Sequence, residues 1–261
     1  MTDFWAVIPA RRASSRLPDK ALADIGGKPM VVRVAERAAK SKATRVVVAT
    51  DCNEIFSCVR EHGVEAVLTS ASHASGTDRL AEAVRVLKAH NDQIVVNVQG
   101  DEPLIDPQLI HSVAQALADS SDAQVATAAH PISDSESIRS PHVVKVVCNS
   151  RAQALYFSRA PIPYQRDAWP NLTAISQAGA HALLRHIGIY GFRAKMLAEF
   201  VQWGPCELEQ TEQLEQLRWL WHGHAIAVHQ TPSAPHAGVD TQQDLDRVRA
   251  LWAALAQQGS L

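Results

Sequence analysis

The first hundred residues confine the fold more tightly than any other stretch of the chain. Four short apolar runs, at 5–9, 45–49, 64–68 and 94–98, are separated by amphipathic segments near 30–41, 52–62 and 77–89. Strand, helix and strand in strict alternation build a mostly parallel sheet with helices on both faces. The expected class is therefore α/β with a Rossmann-like sheet. Asp106-Pro107 supplies an N-cap and an N1 proline for a helix to about 118, and strands are expected at 124–129 and 143–147. Period-two alternation strengthens around 156–159 and 187–191. Between them lies a polar, proline-containing linker, 163–181, expected to be a long mobile loop. Segment 207–221 reads as one helix with Leu214, Leu217 and Trp221 on a stripe, and a last helix is expected near 241–257. At 261 residues the chain is expected to form a single domain with a second-half lobe from roughly 130 to 225.

Charge and cysteine usage narrow the partners. Lys and Arg number 25 against 27 Asp and Glu, a net charge of -2, which offers no overall field for wrapping DNA or RNA. Any phosphate binding must be local. Cysteines 52, 58, 148 and 206 are too dispersed for a zinc knuckle or a redox pair and fit reduced, packing thiols. The start lacks the basic and apolar regions of a signal peptide, and no run approaches the roughly 18 apolar residues of a membrane span. The expectation is a cytoplasmic protein without membrane insertion.

Two segments carry chemistry. Pro9 to Lys20, after the first expected strand, holds Arg11, Arg12, Arg16 and Lys20 together with Ser14 and Ser15. It is neither Gly-x-Gly-x-x-Gly nor a Walker loop. Arginine forks and a lysine point charge at this spacing suit a triphosphate and a departing pyrophosphate, whereas the plain alternative is a solvated basic loop. The second segment, Val98 to Pro103, delivers Asp101 at the carboxyl edge of a buried strand, where open α/β sheets bind ligands and a carboxylate can hold Mg2+ against phosphate. An ordinary tight turn is its plain alternative. His222 and His224 are read as surface residues without function, and Trp219, Leu220 and Trp221 as core or subunit contacts.

Taken together, PARRASSRLPDK at 9–20, ATD at 49–51, SGTDR at 75–79, NVQGDEPLI at 97–105, YFSRAPIP at 156–163, RHIGIYGFR at 185–193, LEQLRWLW at 214–221 and GVDT at 238–241 resemble the 3-deoxy-D-manno-octulosonate cytidylyltransferases, or CMP-Kdo synthetases. The resemblance is collinear from about residue 5 to 250. It implies a fold of nucleotide-diphospho-sugar transferase type, a homodimer formed through second-half strands, and the Mg2+-dependent reaction of CTP with Kdo to give CMP-Kdo and pyrophosphate, the activation step for bacterial lipopolysaccharide. By resemblance Arg11, Arg16 and Lys20 meet the CTP phosphates, while the backbone at Ala10 and the turn at Ser75 and Gly76 lie near the cytosine. Asp101 and Asp240 are implied as the metal pair, and Gln99, Arg159, His186, Tyr190, Glu215 and Gln216 as the sugar site. Lys20, Arg16, Asp101 and Asp240 are thus the expected catalytic group.

On local sequence alone several of these residues have plainer readings. Asp240 is an N-cap of the last helix, Asp78 a cap, and His186 and Tyr190, at i and i+4 of a strand, a core pair. Glu215 and Gln216 would serve equally as a solvated helix face. Ala21 stands where relatives often carry proline, and Asp19 beside Lys20 would dilute the positive field. Rival readings are a cytidylyltransferase for sialic acid or 8-amino-Kdo, and a catalytically silent nucleotide-binding regulator.

Overall fold

The computed structural model describes residues 2–12, 16–73, 75–164, 166, 183–232 and 234–258. Most of the linker expected at 163–181 lies outside them. The alternating runs form the core of a nine-stranded sheet: β1 (Phe4–Ala10), β2 (Asp24–Ile25) and β3 (Lys28–Pro29) as a small separate ribbon, β4 (Arg45–Thr50), β5 (Glu65–Leu68) and β6 (Ile94–Asn97). Strands β6, β1, β4 and β5 are adjacent and parallel in that order. Residues of β1, β4 and β6 are largely buried on both faces, which is why they read as continuous apolar runs, whereas the edge strand β5 leaves Leu68 exposed.

Helices α1 (Met30–Ala39), α2 (Asn53–Glu61), α3 (Gly76–Val86) and α4 (Pro107–Asp119) cover this half. α4 opens as expected, with the Asp106 carboxylate accepting from the Gln108 N–H at 2.9 Å and Pro107 in its first turn. The second half adds β7 (Ala123–Pro131), α5 (Ser135–Arg139), β8 (Lys145–Cys148), β9 (Ala154–Ser158), β10 (Leu184–Arg193), α6 (Ala194–Phe200), α7 (Glu207–Glu212), α8 (Leu217–Trp221), β11 (Ala225–Gln230) and α9 (Gln242–Gln257). The main path runs β11-β7-β10-β6-β1-β4-β5, with β10 antiparallel to both neighbours, β8 paired to β10 and β9 paired to β8.

The helix expected over 207–221 is instead two helices. Gln213 takes a left-handed conformation (φ 53°) and breaks the run. The Glu212 carboxylate just before the break accepts from the Ser158 hydroxyl at 2.5 Å and the Arg159 N–H at 2.9 Å, so strand contacts override the helical pattern. Leu214 and Leu217 are buried as the stripe required, whereas Trp221 is 52% exposed and Trp219 takes the core position. Trp219 stacks on Phe200, and Trp203 stacks on both His222 and His224. Lys145, fully buried, donates to the carbonyls of Ser140, Val143 and Arg159 at 2.6–3.0 Å. This use of a lysine ammonium as a three-way backbone clamp has no sequence signature. Burial depresses its pKa. All four cysteines are free, and no helix among the described residues is long and apolar enough to cross a membrane.

Candidate active site

Strand β1 has β4 on one side and β6 on the other, so the chain reverses its direction of sheet growth there. The crevice at the carboxyl ends of β1 and β6 is such a topological switch point, where open α/β sheets take ligands. Two glycines let the segments at that crevice close up. A Cβ on Gly100 would lie 2.8 Å from the Pro9 carbonyl oxygen, and one on Gly238 would lie 3.3 Å from that of Asp101. The Val239 N–H also donates to the Asp101 carbonyl at 2.9 Å. The turns at 99–101 and 238–240 are therefore stapled together although 139 positions separate Asp101 from Asp240.

Lys20 rises from a 3-10 turn (Lys20–Leu22) entered through Asp19, itself left-handed at φ 53°. Its ammonium sits between the two carboxylates, 2.8 Å from Asp101 Oδ2 and 3.1 Å from Asp240 Oδ1. Arg16 Nη2 also lies 3.1 Å from Asp240 Oδ1. Asp240 is not the cap of α9: that role falls to Thr241, whose hydroxyl accepts from the Asp244 N–H in a capping box. Asp19 does not dilute Lys20, because its carboxylate pairs with Arg12 Nε at 2.8 Å. Glu102, next to Asp101, is pushed up to about 7, by burial first and by the neighbouring charge second.

Arg16, Lys20, Asp101 and Asp240 line a cavity of about 450 Å³, within the range of small-molecule sites. Ala10, Arg11, Arg16, Lys20, Ser75, Gly76, Gln99, Asp101 and Asp240 all border it, so the expected nucleotide and metal residues share one space. Ser75 is the N-cap of α3, with Asp78 completing a capping box, which accounts for Asp78 as a cap. Sequence reasoning left Arg79 and His73 of this wall without a role. Arg79, 4% exposed, reaches Asp51 Oδ2 and Thr69 Oγ1, both at 2.6 Å, and so ties α3 to the ends of β4 and β5. The acidic end of ATD and the arginine of SGTDR were the only hints of that pair.

The residues expected for the sugar do not border this cavity, except Gln99, whose amide donates to the Gly188 carbonyl at 3.3 Å. In a regular strand His186 and Tyr190 would stand about 13 Å apart. Their rings are 5.4 Å apart, because the register of β10 against β7 slips between Ile187 and Tyr190. Thr127 holds that bulge, its hydroxyl lying 3.1 and 2.8 Å from the carbonyl oxygens of Ile187 and Ile189, which share its single hydrogen, and 2.9 Å from His186 Nε2. Burial lowers the His186 pKa to about 3 and raises that of Tyr190 well above its usual value, with the Glu215 charge adding to the latter. Glu215 accepts from the Thr77 hydroxyl, and burial pushes its carboxyl up. Glu215 and Gln216 thus form no solvated helix face: Gln216 is buried, and its Nε2 has no hydrogen-bond partner among the described residues. Arg159 spends three of its five N–H groups on the carbonyls of Pro141, Glu212 and Gln213.

Cations and paired carboxylates around one crevice at a sheet switch point suit the handling of a nucleoside triphosphate, and fold and site together define a nucleotidyltransferase. The chain belongs to the cytidylyltransferase family, whose pattern matches residues 5–226. Among solved structures it is similar to a CMP:2-keto-3-deoxy-manno-octonic acid synthetase complexed with CTP, at 42% identity and a TM-score of 0.87, covering 97% of this chain and 99% of that one. A cytidylyltransferase from Leptospira borgpetersenii shares the fold at 16% identity and a TM-score of 0.60, covering 97% of this chain and 87% of its own.

Proposed function

We propose that this protein transfers CMP from CTP to Kdo, releasing pyrophosphate and CMP-Kdo for lipopolysaccharide assembly. The observation that carries the reading is the convergence of Lys20, Arg16, Asp101 and Asp240 on one cavity in a chain 42% identical to a CTP-bound synthetase of that sugar nucleotide. Arg11, Arg16 and Lys20 bind the triphosphate, and the turn at Ser75 and Gly76 receives the base. The anomeric hydroxyl of Kdo attacks the α-phosphorus in line, and the negative charge of departing pyrophosphate is taken up by Lys20 and Arg16. Catalysis here is positioning and charge stabilisation.

Asp101 and Asp240 are the residues that would hold Mg2+. Two of their oxygens already approach a single positive charge, the Lys20 ammonium, within 2.8–3.1 Å. Hard carboxylate oxygens suit such an ion, and a pair of carboxylates is the donor set it would take from the protein. Bound there, the ion would supply positive charge to screen the triphosphate and to favour loss of a hydroxyl proton.

Gln99, together with Arg159, His186, Tyr190, Glu215 and Gln216 from a second-half lobe of roughly 130–225, forms the proposed sugar side. The same lobe is the proposed face for a second copy of the chain. Leu155 on β9 and Trp221 on α8, 59% and 52% exposed, support a homodimer. The proposed setting is the cytoplasm. The test is pyrophosphate release with Kdo and Mg2+, with CTP, UTP, ATP and GTP in parallel. Release mainly with CTP is expected, and replacement of Kdo by sialic acid or 8-amino-Kdo should lower it. Folded protein that releases none with any nucleotide overturns the assignment.

A further inference from the structure

His73 stands at the wall of the nucleotide cavity, two residues before the cap of α3. Its ring also borders a neighbouring groove between α3 and α6, and Glu82 lies on that groove side. His73 Nε2 is 2.5 Å from Glu82 Oε2, and the same oxygen accepts the Ser70 main-chain N–H at 2.7 Å. These two contacts hold the Glu82 carboxyl below its ordinary range, the Ser70 N–H contributing more. Glu82 is therefore an ionised acceptor with no proton to give. The imidazole nitrogen facing it must carry the hydrogen.

A carboxylate that fixes one ring nitrogen as donor also fixes the other. In the neutral ring Nδ1 is then a lone-pair acceptor, and no described residue hydrogen-bonds to it. It is the one polar ring atom left for the nucleotide side. Cytosine presents a 4-amino donor where uracil presents a carbonyl acceptor. The neighbouring wall offers Pro9, Ala10, Ser75 and Gly76, and the Arg79 guanidinium there is paired with Asp51 Oδ2 at 2.6 Å. The cationic side chains Arg16 and Lys20 instead meet the carboxylates of Asp101 and Asp240.

We propose that His73 reads the 4-amino group of cytosine through Nδ1 and that Glu82 is the positioning residue that keeps this nitrogen an acceptor. The inference rests on the CTP reading of the site and adds a side-chain reader of the base to it. Uracil would face Nδ1 with its O4 and lose the contact to lone-pair repulsion.

The test is the ratio of kcat/KM for CTP to that for UTP, with Kdo and Mg2+, because a ratio is unaffected by the fraction of folded enzyme. For His73→Leu the ratio should fall at least about tenfold, mainly through CTP, as expected when a site loses the group that pairs with a substrate N–H. Glu82→Leu, which frees the ring to change tautomer, should lower the ratio in the same direction. Glu82→Gln should retain it, since its amide oxygen can accept from both Ser70 and His73. A wild type that favours CTP beside a His73→Leu variant of unchanged ratio overturns the role of His73 alone. A Glu82→Leu ratio equal to wild type overturns that of Glu82. A wild type that does not favour CTP overturns the underlying reading of the site.

Discussion

The two ends of the proposed site follow opposite electrostatic plans. At the phosphate end, Lys20 and Arg16 face Asp101 and Asp240 in a partly open cavity, and the cations proposed to meet substrate are paired with the carboxylates proposed to hold metal. At the other end, His186, Tyr190 and Gln216 carry no charge near neutral pH, and the ionisable Arg159 and Glu215 of the same side are tied to backbone carbonyls and to the Thr77 hydroxyl. Partly exposed ion pairs of this kind contribute about 0–1 kcal/mol each, so exchanging partners when a triphosphate arrives costs little. The buried end has no such freedom, being fixed by a bulge that Thr127 clamps. On the proposed roles, the charged end would rearrange around a reaction and the largely neutral end would recognise a shape.

Substitutions that separate the two ends should give different kinetic signatures. The largest effect is expected from Asp240→Asn, which halves the proposed metal pair. Its kcat should fall about a thousandfold, in line with losing a preorganised electrostatic element, and steady-state turnover at saturating Mg2+ checks it. Lys20→Met should follow, with kcat/KM for CTP down about a hundredfold, as read by varying CTP at fixed Kdo. Gln216→Leu should raise KM for Kdo about tenfold and leave kcat unchanged. Because it also removes a buried donor without a partner among the described residues, thermal melting should show a variant at least as stable as wild type.

The smallest effect concerns pH. A histidine near 3 in the folded state and near 6.5 unfolded binds more protons when unfolded between those values. Its contribution to stability is complete above about 6.5 and is lost as pH falls toward 3. Urea melts at stepped pH should therefore show a shallower decline for His186→Gln than for wild type. The decline should not vanish, since burial also lowers His130, His224 and His229.

The same contrast explains what the sequence disclosed. The phosphate end was legible because its groups lie in short motifs at strand ends: Asp101 after the 94–98 run, the cations after β1, and a glycine before each carboxylate. Why those glycines are needed appears only where Pro9 and Asp101 approach them. The neutral end was harder to read. A period-two pattern carries no sign of the bulge that brings His186 against Tyr190, and the stripe of 207–221 hid a break imposed by Glu212 on β9. His73 and Arg79 act through Glu82 and Asp51, partners 9 and 28 residues away, so no local spacing marked them. For Asp240, the Asp-Thr pair suggested a cap, and the three-dimensional pairing with Lys20 reassigned that role to Thr241.

The most direct test sets wild type, Asp101→Asn and Gln216→Leu side by side, measuring kcat, KM for Kdo and CTP binding at saturating Mg2+. The account predicts that Asp101→Asn loses turnover about a thousandfold while still binding CTP, and that Gln216→Leu keeps turnover and loses only Kdo affinity. An Asp101→Asn enzyme that makes CMP-Kdo at the wild-type rate would contradict it.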